Sequence, residues 1–206
     1  MNINLEILTA LSFFALVMCI TPGPNNLYLM ASGTAFGWRR TIPYWIGVTV
    51  GFMILITLVA FGLGSVVLYF PFVPMVMKLA GVTWMVIIGI KSLHQVFSNT
   101  KNADSSAKAN QPLSALDAVL LQWLNPKSWT MAIGCTSAYV DLSESLVVRA
   151  GSMILVFLII MPPCTAIWML SGAGLRKFMN SDATRRIADS IVASLLLLSA
   201  VMLLRG

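Results

Sequence analysis

The chain has 206 residues, of which 58% are hydrophobic and only 10% are charged, and its mean hydropathy is +0.88. A soluble domain carries about 25% charged residues, so this composition excludes an ordinary soluble domain and indicates that lipid surrounds most of the chain. The formal net charge of +6 comes from basic residues that stand singly or in pairs between apolar runs. Membrane proteins fix their orientation in this way, and we therefore expect a lipid bilayer and no nucleic acid as a partner.

Six apolar runs are long enough to cross a membrane, which takes about 20 residues in a helix. The sequence therefore predicts an all-α, polytopic membrane protein that forms a single transmembrane domain over residues 1–206. The apolar N-terminus has no basic region before it and no small-residue cleavage site after it, so we expect a retained first span rather than a signal peptide. The six predicted spans are 5–34, 42–66, 72–96, 113–138, 146–174 and 187–204.

The first span contains a polar interruption at residues 21–26, with the sequence Thr-Pro-Gly-Pro-Asn-Asn, called here the first break. Pro22 and Pro24 lack backbone donors and clash with the preceding turn, so the helix must stop or kink there. Gly23, between them, tolerates dihedral angles that other residues avoid. A straight helix over residues 5–34 would be about 45 Å long, well beyond the hydrocarbon core of about 30 Å, and a broken, tilted span would take up the excess.

The fourth span contains a matching interruption at residues 122–129, with the sequence Gln-Trp-Leu-Asn-Pro-Lys-Ser-Trp, called here the second break. An opened helix leaves backbone groups without partners in lipid, at a cost of several kcal/mol each. Such breaks persist only where protein buries them or where they line a wet cavity. Two breaks at corresponding places indicate the substrate site of a transporter, and Asn25 and Asn125 are predicted to correspond.

A polar linker at residues 98–112 divides the chain into halves 1–97 and 113–206, each with three predicted spans. An odd number of crossings inverts the second half relative to the first, and each half then opens with its broken helix. In the fifth span, Pro162 and Pro163 have only apolar or small neighbours, and we expect a kink or a hinge there but no binding element.

The distribution of Lys and Arg predicts which side of the membrane each loop occupies. With six spans, one side holds nine basic residues and the other holds three, so the richer side is predicted to be cytoplasmic and both termini to lie outside. The nine are Arg39, Arg40, Lys91, Lys101, Lys108, Arg176, Lys177, Arg185 and Arg186. The three are Lys78, Arg149 and Arg205.

The chain resembles the LysE/RhtB family of bacterial amino-acid exporters. Four segments carry the resemblance: the first break, the Gly33-x-x-x-Gly37-x-Arg39-Arg40 loop, the Gly47-x-x-x-Gly51 helix and Asn125-Pro126-Lys127. The resemblance implies a secondary transporter in the bacterial inner membrane that exports amino acids or close derivatives. The Asn-Asn pair after Pro24 is more similar to exporters of homoserine, threonine, cysteine or O-acetylserine than to the basic-amino-acid branch. Residues 42–66 contain no Asp or Glu, which also disfavours a dibasic substrate.

The two breaks supply the chemistry that a zwitterionic amino acid needs. A restarting helix offers free N–H groups to a carboxylate, and carbonyls stranded before a proline can accept from an ammonium group. Asn25 and Asn26 either line this site or cap the restarting helix. Gln122 lies within about one turn of the second break and can reach the same cavity. The predicted substrate-binding residues are Thr21, Pro22, Gly23, Pro24, Asn25, Asn26, Gln122, Asn125, Pro126 and Lys127.

Two charged residues in the fourth span have alternative interpretations. Lys127 lies mid-span, where a lysine costs about 2.5–3.5 kcal/mol on insertion scales, so it either serves the site or snorkels to the interface. In the first case it is a counter-charge for the substrate carboxylate or a group that organises the two breaks. Asp117 near the start of the span either stabilises a helix N-terminus or takes part in proton coupling.

The remaining candidates favour structural roles. Gly47 and Gly51 suit close helix packing. Trp123 and Trp129 flank the second break, where they either wall the cavity or only pack. Packing or interfacial roles are expected for Trp38, Trp45, Trp84, Trp168, His94, Cys19, Cys135 and Cys164.

Several classes of function are disfavoured by the sequence. The single histidine and the unpaired cysteines predict no metal, no cofactor and no enzymatic activity, which disfavours a membrane redox protein. No phosphate-binding glycine loop occurs, so proton-motive force or antiport is the expected energy source. A structural scaffold would have no need of two breaks. Self-association into a homo-oligomer is left open.

Overall fold

The computed structural model describes residues 3–70, 72–97 and 112–177, together with single positions 190, 194, 197, 198, 200 and 201. Every regular element among them is helical, which confirms the all-α prediction. The α-helices are α1 (Leu5–Ile20), α2 (Pro24–Phe36), α3 (Trp38–Leu58), α4 (Gly64–Tyr69), α5 (Phe72–Phe97), α6 (Ala115–Leu124), α7 (Pro126–Ala138) and α8 (Leu146–Lys177). A kinked segment, Val59–Leu63, with non-helical backbone angles at Phe61 and Gly62, joins α3 to α4, and a short 3-10 turn, Val140–Leu142, follows α7.

Two described helical stretches are long and apolar enough to cross a membrane alone, namely Trp38–Tyr69 and Leu146–Lys177, each of 32 residues. The pair α1 and α2 makes a third if it is counted as one bent span. The six-span arrangement is therefore supported only in part by the described helices. The predicted fourth span is divided between α6 and α7, of 10 and 13 residues. The predicted sixth span, 187–204, lies mostly outside the described residues. Arg185 and Arg186 before it and Asp189 within it are outside them as well.

Both predicted breaks are present. At the first break α1 ends at Ile20 and α2 begins at Pro24, with a bend of 49° between them. At the second break α6 ends at Leu124 and α7 begins at Pro126, so that Asn125 alone separates them. In both cases a proline takes the first position of the new helix, where its missing N–H costs nothing.

The helix α8 continues through Pro162 and Pro163, so this pair does not divide the fifth span. The helix α3 contacts α8 at this proline pair. Trp45 Nε1 donates to Pro162 O at 3.2 Å and to Thr165 Oγ1 at 3.0 Å. This contact accounts for the packing role predicted for Trp45.

Glycines bring the broken helices into contact with the long unbroken ones. A Cβ atom on Gly33 of α2 would collide with Met169 O of α8, and one on Gly172 of α8 would collide with Met30 O of α2. Two backbones therefore approach each other through a reciprocal pair of glycines, as small residues allow in membrane helices.

The Gly47-x-x-x-Gly51 motif makes a comparable contact between α3 and α6. A Cβ on Gly47 would collide with Ala115 O, and one on Gly51 would lie 2.9 Å from Val119 Cα. The predicted packing role of this motif is confirmed. Each broken helix thus packs against a long helix from the other half of the chain.

Contacts between loops define the two ends of the helical assembly. At one end Asn4 N donates to Leu142 O at 3.1 Å, and Tyr139 OH donates to Ala10 O at 3.3 Å. At the other end a Cβ on Gly37 would lie 3.1 Å from an Arg176 guanidinium nitrogen. The α1–α2 pair therefore runs from the Asn4 end to the Gly37 end, as does α8, whereas α7 ends at the Asn4 end.

Candidate functional site

The two breaks meet through the side chain of Lys127. Its Nζ donates to Thr21 O at 2.8 Å, to Thr21 Oγ1 at 2.9 Å and to Pro22 O at 3.3 Å. The carbonyl acceptors lie at the end of α1, where the following prolines cannot supply the usual helical donors. Lys127 therefore joins residues that are about a hundred positions apart in the chain, and none of these three acceptors is a carboxylate.

Gly23 makes this approach possible through its lack of a side chain. A Cβ atom at this position would lie 2.8 Å from Lys127 Cδ and 3.2 Å from Lys127 Nζ. The backbone of Gly23 is extended, with φ −170° and ψ 171°, a conformation open to any residue. The requirement for glycine is thus one of space for the lysine stem, not the conformational freedom that the sequence suggested.

A buried network of amide and hydroxyl groups forms a second link between the breaks. Asn25 Nδ2 donates to Gln122 Oε1 at 2.9 Å, and Tyr44 OH donates to Asn25 Oδ1 at 3.2 Å. Gln122, which is fully buried, donates from Nε2 to Val48 O at 2.7 Å and accepts from the Ser128 hydroxyl. Gln122 and Asn25 are thereby brought together in the interior, although Gln122 lines neither of the two cavities beside the breaks.

The two asparagines of the first break do not cap the helix that follows them. Asn26 Nδ2 donates to Cys19 O at 2.9 Å and to Thr21 O at 2.8 Å, so it pairs with carbonyls at the end of α1. The N-cap of α2 is Gly23, which offers no side-chain hydrogen bond. The first amides of a helix have no partner within it, so the N-terminus of α2 is left open to an anion.

The second break is closed in a different manner. Asn125 Oδ1 accepts from Lys127 N at 3.1 Å and so caps α7. Pro24 and Pro126 both stand first in their helices, which makes Lys127 the positional counterpart of Asn25 and Asn125 that of Gly23. The predicted correspondence of Asn25 with Asn125 is therefore wrong by two residues, because the prolines, not the asparagines, set the helix starts.

Two small cavities flank the shared polar residues Asn25 and Asn125. The first, called here the polar cavity, has a volume of about 30 Å³ and is lined by Gly23, Asn26, Lys127 and Ser128, with apolar residues from α1, α3, α7 and α8. The second, called here the aromatic cavity, also measures about 30 Å³ and is lined by Tyr28, Tyr44 and Trp84. A site of this size holds one water-sized group, so this conformation is closed around the breaks.

The aromatic cavity is lined by residues that the sequence did not predict as substrate-binding residues, namely Tyr28, Tyr44 and Trp84. Tyr28 and Tyr44 have ring centroids 4.4 Å apart, and Trp84 of α5, predicted as an interfacial or packing residue, lines the same space. Gly81 lets α5 approach the second break, since a Cβ there would collide with Leu124 O. Gly81 and Trp84 lie one turn apart on a helix without any polar interruption, so only the tertiary packing reveals them.

Asp117 lies away from both cavities. Its carboxylate accepts from Ser114 N at 2.8 Å and from Ser114 Oγ at 2.7 Å, while Ser114 Oγ accepts from Asp117 N, which forms a capping box at the start of α6. The structure thus gives Asp117 the helix-terminal position that the sequence offered as one of two alternatives.

The tryptophans around the breaks support the backbone. Trp129 Nε1 donates to Trp123 O at 3.0 Å, and neither ring lines the polar or the aromatic cavity. Trp168 Nε1 donates to Ile20 O at 3.0 Å and so pairs with a carbonyl at the end of α1. Trp38 is exposed. His94 lies within α5, and its side chain is outside the described part of the chain.

Cys19, Cys135 and Cys164 are buried and form no disulfide. This is the packing role that the sequence predicted for them. Within the described ranges no group of three or more His, Cys, Asp or Glu side chains is arranged to hold a metal ion.

Comparison with known proteins identifies the family. The sequence pattern of the LysE type translocator matches residues 16–206. The chain belongs to the LysE-type translocator family. The expected membership is confirmed, and it places the protein among membrane translocators rather than enzymes.

Individual relatives of the translocator are distant. The cysteine/O-acetylserine efflux protein of Escherichia coli (strain K12) is 28% identical over 134 residues, which cover 65% of this chain and 66% of that protein. The protein of the same description from Salmonella typhimurium (strain LT2) is 26% identical over the same coverage. The match thus spans just under two thirds of the length of these relatives. No solved structure matches the chain.

Proposed function

We propose that this LysE-type translocator is a secondary exporter of neutral amino acids or close derivatives, such as homoserine, threonine, cysteine or O-acetylserine, from the bacterial cytoplasm. The observation that carries the proposal is the junction of the two breaks through Lys127 and Asn25 inside the helical assembly. Membership of a translocator family and distant similarity to efflux proteins described for cysteine and O-acetylserine support the substrate class.

The polar cavity and the carbonyls that contact Lys127 beside it offer separate partners to the two charged groups of an amino acid. The uncapped N-terminus of α2 and the ammonium of Lys127 suit the carboxylate. The carbonyls of Thr21 and Pro22 suit the substrate ammonium. In the closed conformation Lys127 occupies these carbonyls itself. Substrate entry would then exchange one ammonium for another: Lys127 turns to the carboxylate and releases the carbonyls to the substrate.

The charge of the site favours a neutral side chain over a basic one. Among the described residues that line the polar cavity, Lys127 is the one that carries a charge. None of the described residues that line the aromatic cavity is a carboxylate. A cationic substrate side chain would meet the Lys127 ammonium without a compensating acid. A basic-amino-acid exporter, the alternative within the family, would need an acid at this place.

The arrangement of the described helices supports two inverted halves. The α1–α2 pair and the α6–α7 pair run in opposite directions, and the two 32-residue stretches, Trp38–Tyr69 and Leu146–Lys177, follow them in the two halves. The contact of Gly37 with Arg176 puts the first and fifth connections on one side, together with Arg39, Arg40 and Lys177. We propose that this basic side is cytoplasmic, that six spans are present, and that both termini lie outside.

We further propose that proton-motive force drives export by alternating access. Asp117 remains the candidate for proton coupling suggested by the sequence, although its carboxylate now has a structural role in the capping box with Ser114. A membrane redox protein would need a cluster of ligands, and a scaffold would need neither break, so both alternatives lack support.

The experiment that tests the proposal is counterflow of labelled amino acids in liposomes that contain only this protein. Exchange of homoserine, threonine, cysteine or O-acetylserine, with little exchange of lysine or arginine, is the expected result. If none of these compounds exchanges while the reconstituted protein is folded, the proposal is wrong. Exchange of lysine in preference to the neutral panel would instead favour the basic branch.

A further inference from the structure

The aromatic cavity contains a hydrogen-bond donor that none of the described residues satisfies. Trp84 Nε1 is buried and has no hydrogen-bond acceptor within the described part of the chain. Three other described tryptophans do pair this atom: Trp45 with Pro162 O and Thr165 Oγ1, Trp129 with Trp123 O, and Trp168 with Ile20 O. A buried donor without a partner is costly, so its persistence in a cavity wall indicates that something else supplies the acceptor.

The position of the cavity indicates which part of a substrate would reach Trp84. Asn25 and Asn125 line both the polar and the aromatic cavity and therefore stand between them. Lys127, the proposed carboxylate partner, lines the polar cavity and contacts the carbonyls of Thr21 and Pro22 in the first break. A substrate held there by its charged groups would direct its side chain past Asn25 toward the aromatic residues.

We propose that the aromatic cavity is the subsite for the substrate side chain and that Trp84 is a specificity-determining residue that donates a hydrogen bond to an oxygen or sulfur acceptor on it. This inference rests on the proposed function and names the substrate class more narrowly. Indole N–H is a donor only, so it discriminates for an acceptor. The rings of Tyr28 and Tyr44 complete the wall and favour a short side chain whose remainder is apolar.

The chemistry predicts a preference within pairs of substrates of equal size. Homoserine and norvaline differ by a hydroxyl in place of a methyl group, and so do threonine and valine. Placing a methyl group against a buried N–H leaves that donor unpaired, whereas a hydroxyl oxygen accepts from it. A site built to bond a polar group rejects the analogue that lacks it, and a neutral hydrogen bond accounts for up to about tenfold.

The test compares these pairs by counterflow in liposomes with the wild-type protein and with Trp84→Phe, which keeps an aromatic ring but removes the N–H. We expect the wild type to prefer homoserine over norvaline and threonine over valine, and Trp84→Phe to reduce each ratio by about five- to tenfold. Trp84→His, which keeps a ring N–H, should retain more of the preference than Trp84→Phe. Because the readout is a ratio, partial loss of folded protein does not change it.

Trp45→Phe is the matched control, since it removes a tryptophan N–H whose partners lie on α8 and outside the aromatic cavity. It should lower thermal stability and leave the ratios unchanged. Unchanged ratios in folded Trp84→Phe would overturn the inference, and so would an equal loss of all substrates, which would place the carboxylate at Trp84. Absence of any amino-acid exchange by the wild type would instead overturn the proposed function.

Discussion

The substitution Lys127→Met separates the effect of the Lys127 charge on protein stability from its effect on substrate binding. The substitution keeps an unbranched stem beside Gly23 and removes the ammonium group. Thr21 O retains a partner after the change, because Asn26 Nδ2 donates to it at 2.8 Å. Pro22 O loses its contact with Lys127 Nζ, which at 3.3 Å is the longest of the three. One carbonyl at most is therefore left without a donor.

The stability change follows from two opposing terms. An unsatisfied buried carbonyl costs about 1–3 kcal/mol, and the exposed position of Pro22 favours the lower end of that range. A lysine at the bilayer centre costs about 2.5–3.5 kcal/mol, and the half-buried position of Lys127 favours the lower end of that range. The two terms nearly cancel, so we expect the free energy of unfolding of Lys127→Met to lie within about 1.5 kcal/mol of the wild-type value.

Transport should respond far more strongly than stability. Loss of one partner from a desolvated charge pair costs about 2–5 kcal/mol, so the half-saturation concentration for substrate should rise about 30-fold or more. Counterflow in liposomes measures this value, and thermal unfolding in detergent measures stability. Lys78→Met on α5 is the control, because Lys78 lines neither cavity and should change neither quantity. Wild-type half-saturation in folded Lys127→Met would refute the carboxylate role, and a destabilisation above about 3 kcal/mol would show that Lys127 chiefly holds the breaks together.

Three further substitutions probe the same region. Gln122→Leu leaves the Asn25 amide and the Ser128 hydroxyl without their acceptor. We expect thermal unfolding to show that the free energy of unfolding falls by about 1–3 kcal/mol, together with weaker counterflow. Unchanged stability would contradict this hydrogen-bond network. Gly23→Ala pushes against the Lys127 stem, so counterflow should fall, whereas Gly151→Ala on α8, where the added Cβ has no heavy atom within 4 Å, should transport normally. Asp117→Asn should preserve counterflow and abolish uptake driven by a pH gradient; undiminished gradient-driven flux would leave the carboxylate its capping role alone.

The main features of the fold follow from residues whose local effect is strong. Pro22, Pro24 and Pro126 combine the missing donor of proline with polar neighbours, so both breaks were predictable from the sequence, unlike Pro162 and Pro163, which have apolar or small neighbours and lie inside α8. The glycines at positions 47 and 51 were predictable as a packing motif because their spacing places them on one helix face. These are local constraints, and tertiary structure has little freedom to override them.

The details of the site depend on contacts across the chain and were not predictable in the same way. Nothing in the sequence distinguishes Trp84 from Trp45, although Trp84 lines a cavity with an N–H that no described residue accepts, and Trp45 bonds to α8. Asn26 was expected either to line the site or to cap the following helix, yet its side chain pairs with carbonyls of the preceding helix and first break. Polar side chains choose among several nearby partners of similar energy, and only the three-dimensional arrangement decides between them.

The corrected register of the two breaks has a consequence for substrate binding. Proline opens α2 and α7 alike, and both helices have 13 residues, but the next residue is Asn25 in one and Lys127 in the other. Similarly, the residue before the proline is Gly23 in one and the capping Asn125 in the other. The N-terminus of α2 is therefore open to an anion. In contrast, the Asn125 side chain caps α7, and Lys127 of α7 contributes a cation. Two equivalent breaks would present the same chemistry twice, which suits a symmetric ligand. A zwitterion has unlike ends, and the difference between Asn25 and Lys127 at equivalent positions gives the site the matching polarity.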